Sequence, residues 1–308
     1  DNVNSIDIGA NGDIFVAGTF SNSVDFGGGQ RTSQGGRDGF VAKYDKNGLY
    51  QWDVVWGGNG TDEVIDVTVA ANGDVLAVGQ FRQSVTIGQQ TYSSAGAEDF
   101  FVVRMNATKG LKWAKTFGDG HSRGDHITEV AADPNGGMFI CGNYAGNLTL
   151  GGHSLPYSKG CCGGYKDHYL ARLDSNGTAS WAKAFGSAPN DPMNGCTSDS
   201  KGNVIMTGQI RGWVDYGGGY LQPNGNHDGV VAKFSGSGTH LWSKKFGGSK
   251  SGDMGRAIVT NSNDEVYLAG AFENTMSIDG HSATANGVDP FLTKFSPSGT
   301  AQWVTTFS

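Results

Sequence analysis

Aspartate recurs along this chain at near-constant intervals. One series is Asp38, Asp99, Asp167, Asp228 and Asp289, at steps of 61, 68, 61 and 61 residues. A second is Asp1, Asp62, Asp125, Asp191 and Asp253, at steps of 61, 63, 66 and 62. Carboxylates gathered in rings could hold hard cations, because calcium takes carboxylate and carbonyl oxygens. Asp38, Asp99, Asp167, Asp228 and Asp289 are therefore candidate metal ligands, with calcium as the ion and no other cofactor indicated. Aspartate also fixes turns by accepting backbone N–H bonds. One aspartate per interval at an unchanging position is what turn maintenance demands, and that reading is preferred.

Three segments, beginning Asp45-Lys46-Asn47-Gly48, Asp133-Pro134-Asn135-Gly136 and Asp174-Ser175-Asn176-Gly177, open like calcium loops. The twelfth position, where an EF-hand needs a bidentate Glu, holds Trp56, Tyr144 and Phe185 instead. These are read as hairpin turns. The run Gly118 to Gly124 is not a nucleotide fingerprint, since its spacing is wrong and a strand pattern follows. No H-E-x-x-H motif occurs. More informative are aromatics that depart from the regular pattern: Trp213, Tyr216 and Tyr220 in one loop region, Tyr157 and Tyr165 in another. Rigid amphipathic rings suit recognition surfaces, so these five are the candidate ligand-binding residues. The competing reading is that Trp213 merely covers the rim of an adjacent sheet.

The elements that must position these groups follow from the same spacing. Tryptophans recur at Trp52, Trp113, Trp181, Trp242 and Trp303, and cations at Lys43, Arg104, Arg172, Lys233 and Lys294. A fixed period of this kind marks a repeat architecture. In the first repeat, Ser5 to Ile8 alternates as a half-buried strand does. Asn11-Gly12-Asp13 is a hairpin signal, and Ile14 to Gly18, Phe40 to Tyr44 and Leu49 to Trp56 supply three further strands. Four antiparallel strands thus fill each repeat. An aromatic follows each tryptophan four residues later (Trp56, Phe117, Phe185, Phe246, Phe307), so both rings share one sheet face, aimed at the neighbouring repeat.

Such sheets, apolar on both faces, are buried by radial packing. A linear solenoid would need polar outer faces at its ends, and the terminal repeats are as apolar as the rest. The expectation is an all-β, five-bladed β-propeller with four antiparallel strands per blade, closed between its ends. It forms a single domain, 1–308, with blades at about 1–60, 61–122, 123–188, 189–250 and 251–308. The third is longer because of the loop from Gly151 to Lys166.

The totals narrow the function. Net charge is −7 and no basic stripe appears, which speaks against nucleic acid. No apolar run is long enough for membrane insertion. The chain opens inside a repeat, so any signal peptide is expected to have been removed or left out. Four cysteines match neither a disulfide scaffold nor a zinc set. Cys141 and Cys196 take apolar repeat positions and should be buried. Cys161 and Cys162 are adjacent in a glycine-flanked loop, where a vicinal disulfide and two thiols are both open readings.

The stretch NGDIFVAGTF … VDFGGG … GGRDGFVAKYDKNGLYQWDVVWGG resembles the bacterial β-propeller repeat family called SBBP, and the likeness runs through the whole chain. It implies the propeller fold and a secreted or surface-exposed setting, often within a larger multidomain protein. It implies no shared catalytic residues and no shared ligand. The family name implies seven blades, where this chain supplies five. The expected function is an extracellular or cell-surface recognition or adhesion module, not an enzyme, binding a glycan or surface protein through its loop face. The alternatives are a structural spacer or assembly subunit of a surface fibre or larger surface protein and, more remotely, a carbohydrate-active enzyme.

Overall fold

The structure is a computed structural model, describing residues 1–156, 166–186, 191–250 and 252–307. Among them are 28 strands and no helix. Each repeat contributes four strands to a four-stranded sheet, as the period requires. In the first repeat these are Asn2–Ile8, Ile14–Phe20, Asp38–Tyr44 and Tyr50–Trp56, paired antiparallel in chain order. The chain folds into two compact units. The first comprises Asp1–Met138, Gly146–Ser154 and Leu173–Ala179; the second comprises Phe139–Ala145, Leu155–Arg172 and Ser180–Ser308.

In the first unit, the expected one-face pair is present: Trp52 and Trp56 join Phe15 and Val41 in packing against Val64, Val67, Phe81 and Phe101 of the second sheet. The Trp52 indole N–H donates to the Ala107 carbonyl (3.0 Å), and Trp113 does the same to Ser175 (2.9 Å). In the second unit, Trp181 donates to the Gly236 carbonyl (2.9 Å) and Trp242 to that of Pro297 (3.1 Å). Each acceptor is the second residue of the next repeat's last hairpin turn. Phe246 packs with Ile258, Leu268, Phe272 and Phe291 there, with Trp242 at the margin.

The recurrent cation of the third strand has a local task. Lys43 pairs with Asp13 (2.6 Å) and Arg104 with Asp74 (2.7 Å) in the first unit; Lys233 pairs with Asp199 (2.8 Å) and Lys294 with Glu265 (2.7 Å) in the second. Each bond ties the third strand to the turn joining the first two. Burial alone would raise the Asp199 pKa, but hydrogen bonds from Lys233 and Asn203 outweigh it and hold the carboxyl low. Cys141 and Cys196 are buried, as their repeat positions required.

Two features exceed the expectation. The short segments between second and third strands pair as separate two-stranded ribbons, such as Ser23–Asp25 with Gln30–Thr32 and Val214–Asp215 with Tyr220–Leu221. In the fifth repeat no separate ribbon forms, because Val266–Ile278 and His281–Phe295 run on as one long hairpin.

Candidate functional site

The ribbon of the fourth repeat carries the strongest surface feature. Asp215 Oδ1 accepts the N–H of Gly217 (2.7 Å) and Gly219 (3.0 Å), closing its tip. Both glycines lie at positive φ (110° and 102°), which a side chain would strain. The first repeat uses the same device, Asp25 accepting Gly27 and Gly29. On this frame Trp213 is 57% and Tyr220 68% exposed, their rings edge to face with centroids 6.2 Å apart. Ser23 and Gln30 hold the corresponding positions in the first repeat.

Tyr216 corrects its expected place. It is buried, not presented to a ligand, because its ring stacks on His168 (5.7 Å, 6°) and against Phe185 (5.0 Å). Its hydroxyl meets His168 Nε2 at 3.0 Å, while His168 Nδ1 lies 3.0 Å from the Asp191 carbonyl. Burial pushes the His168 pKa down to about 4 and that of Tyr216 well up. A neutral imidazole donating through Nδ1 leaves Nε2 to accept the phenol proton. Tyr216 therefore anchors the ribbon on which Trp213 and Tyr220 stand. Tyr157, Tyr165, Cys161 and Cys162 lie outside the described residues.

The aspartate rings behave as turn fixers. Asp38 accepts Gln34 N–H (3.0 Å), Asp99 accepts Ala95 (2.8 Å) and Asp228 accepts Asn224 (3.0 Å), in each case from four residues upstream. In the second series Asp1, Asp191 and Asp253 accept the N–H twenty residues on, from Ser21, Arg211 and Glu273. Asp62 accepts Gly58 N–H (2.8 Å). Asp45, Asp133 and Asp174 likewise accept N–H bonds inside their hairpin turns. No group of three or more His, Cys, Asp or Glu side chains that could hold a metal occurs among the described residues. These bonds are those the turn reading asks of Asp38, Asp99 and Asp228, whereas Asp289 is partly buried within the long strand His281–Phe295.

The carboxyls are nonetheless unusual. Asp38 and Asp62 are buried, each with one oxygen lacking a hydrogen-bond partner. Burial raises both, Asp62 to about 7, with the Asp38 charge adding to the rise. The signal available in sequence was only their regularity, which says nothing about desolvation.

Two other features bear on function, the first a spacing for which no nucleophile elbow was expected. Gly120-His121-Ser122-Arg123-Gly124 has G-x-S-x-G spacing; the chain there passes through a turn into the strand His126–Ala132, so the strand-to-helix elbow of that motif is missing. A cleft of about 400 Å³ between the first two sheets is lined by Arg31, Asp38, Trp56, Lys109 and Leu111, among others. Arg31 is already committed, its guanidinium forking onto Asp53 (2.7 and 2.9 Å).

No family model matches the chain, and no curated protein matches it. Solved structures resemble it at low similarity. A protein of unknown function from Bacteroides caccae is 9% identical, with TM-score 0.48, covering 99% of this chain and 82% of that one. An apocarotenoid oxygenase from Synechocystis is 10% identical, with TM-score 0.48, covering 99% of this chain and 61% of the oxygenase. Sqt1 from Chaetomium thermophilum is 9% identical, with TM-score 0.48, covering 99% and 71%. The expectation that the chain is not an enzyme is corrected here: an oxygenase stands among the similar structures, so catalysis is not excluded for it. The correction goes no further, because at this similarity neither activity nor ligand passes to this chain.

Proposed function

We propose that the five sheets are propeller blades of the SBBP repeat type, five to a chain, and that the chain is a recognition or adhesion module. It works outside the cell or at its surface, and its ligand is a glycan or a surface protein. The observation that carries this reading is the exposed Trp213–Tyr220 pair, raised on a ribbon that Tyr216 and His168 fasten to the sheet. Large aromatic rings held rigid before contact give area at little entropic cost. Nothing in the fold explains them, since Ser23 and Gln30 fill the same positions in the first repeat without loss of the ribbon. The resemblance in sequence to surface-exposed repeat proteins supports the setting.

The test is binding of the purified chain to a glycan array and to intact cells, beside Trp213→Ala and Tyr220→Ala variants. Wild-type binding that falls at least about tenfold in either variant is expected, because exposed hot-spot aromatics cost more than about 1.4 kcal/mol when removed. Urea midpoints should stay within about 0.5 kcal/mol of wild type, as for surface substitutions generally. Blank wild-type results on both platforms, or variants that bind as well as wild type, would overturn the assignment.

A further inference from the structure

Four residues before each aspartate of the first series stands a residue that varies between repeats: Gln34, Ala95, Gly163, Asn224 and Ala285. Three residues after each recurrent tryptophan the chain carries Val55, Thr116, Ala184, Lys245 and Thr306. Only the fourth repeat joins an amide side chain at the first position to a cation at the second. There the Lys245 ammonium donates to Asn224 Oδ1 (2.6 Å) and to the buried Asp228 carboxylate at Oδ2 (3.3 Å). A carboxylate and an amide oxygen thus share one ammonium, which has three donors to place.

The first repeat keeps both acceptors and has no lysine between them. The Gln34 N–H reaches Asp38 Oδ2 at 3.0 Å, as the Asn224 N–H reaches Asp228 Oδ2 at 3.0 Å, so the two corners are built alike. Val55 stands where Lys245 does. Asp38 is buried, and its Oδ1 lacks a hydrogen-bond partner. Gln34, Asp38 and Val55 all line the cleft of about 400 Å³ between the first two sheets, both of which belong to the first unit. Trp56, Met105 and Leu111 add apolar wall. The cations lining the cleft do not serve this corner: Arg31 is forked onto Asp53, and Lys109 leaves Asp38 Oδ1 unpartnered.

We propose that this cleft takes a lysine side chain of another protein, its ammonium on Asp38 and Gln34 and its stem against the apolar wall. A buried carboxylate favours a cation that brings its own hydrogen-bond donors, and lysine stems lie along apolar surface. The occupant is set by the fourth repeat, where a lysine of the chain itself satisfies the same pair of acceptors. Trp213 and Tyr220 stand on another repeat, so this site and theirs can fail separately.

NMR titration of the full chain with Nα-acetyl-lysine amide tests this. Wild type should show saturable shifts at the Gln34, Gly35 and Gly57 amides, with Kd on the order of 1 mM for so small a ligand. The Nε-acetylated form, which keeps the stem and loses the charge, should leave those amides unmoved. Val55→Lys installs the fourth repeat's own ammonium and should weaken binding at least about tenfold. Asp38→Asn, which keeps an acceptor for the turn, should weaken it as much. Urea midpoints show whether each variant is folded, and Val55→Lys decides alone if Asp38→Asn is not. Butylamine separates the sources of such an ammonium: butylamine bound while the capped lysine is refused would overturn the assignment to a protein's lysine. Absence of saturable shifts, equal shifts from the Nε-acetylated form, or a folded Val55→Lys variant that binds as wild type does would overturn the site itself.

Discussion

Asp62 concentrates the chemistry that sequence alone hid. Its regular spacing announced a turn residue, and the Gly58 bond agrees, but spacing carries no information about how dry the site is. Burial raises its pKa from 3.8 to about 7, so the folded chain holds this proton more tightly than the unfolded one. Its contribution to stability is complete below about pH 4 and is lost as pH rises through 7. His168 acts oppositely: with a folded value near 4 against 6.5, its contribution is present above pH 6.5 and lost as pH falls toward 4. Asp62→Asn removes the first effect alone. Urea unfolding at a series of pH values should show the variant flatter than wild type between pH 4 and 7. At pH 8 it should be more stable, by on the order of 1–3 kcal/mol. An unchanged slope would mean that the folded chain does not hold the Asp62 proton. Tyr216 teaches a related lesson. Sequence marked it as irregular, yet it stands where Phe26 stands in the first repeat's ribbon, and its ring is buried on a histidine 48 residues away.

At the scale of strands and sheets, much more was legible. Period, hairpin turns and alternation placed four strands in each repeat, because a two-residue side-chain period and glycine-dependent turns are local properties. The indole of Trp52 is nearly sealed and bonded, with Trp56 beside it and Phe15 at 6.0 Å. Trp52→Ala is expected to cost about 3–5 kcal/mol, the range for emptying a large aromatic site. Trp181, partly open to solvent, should cost less when replaced. Chemical denaturation of both variants checks the order, and equal losses would contradict it. The ribbons were not foreseen as paired elements, since two to four residues per strand give too short a pattern to read. Nor did sequence show that the fifth repeat replaces its ribbon with a continuous hairpin, which depends on register across Glu273 and Thr275.

For the whole molecule, the indole bonds between successive repeats carry an implication of their own. Their acceptors are the carbonyls of Ala107, Ser175, Gly236 and Pro297, four residue types with nothing in common but a peptide oxygen. A coupling that reads a backbone carbonyl leaves the side chain of the accepting residue free to vary, while the turn glycines under the indoles, Gly177, Gly238 and Gly299, must stay. Gene duplication, deletion or exchange of whole repeats then needs no compensating change at the seam, and chain length can vary by modules while each junction persists.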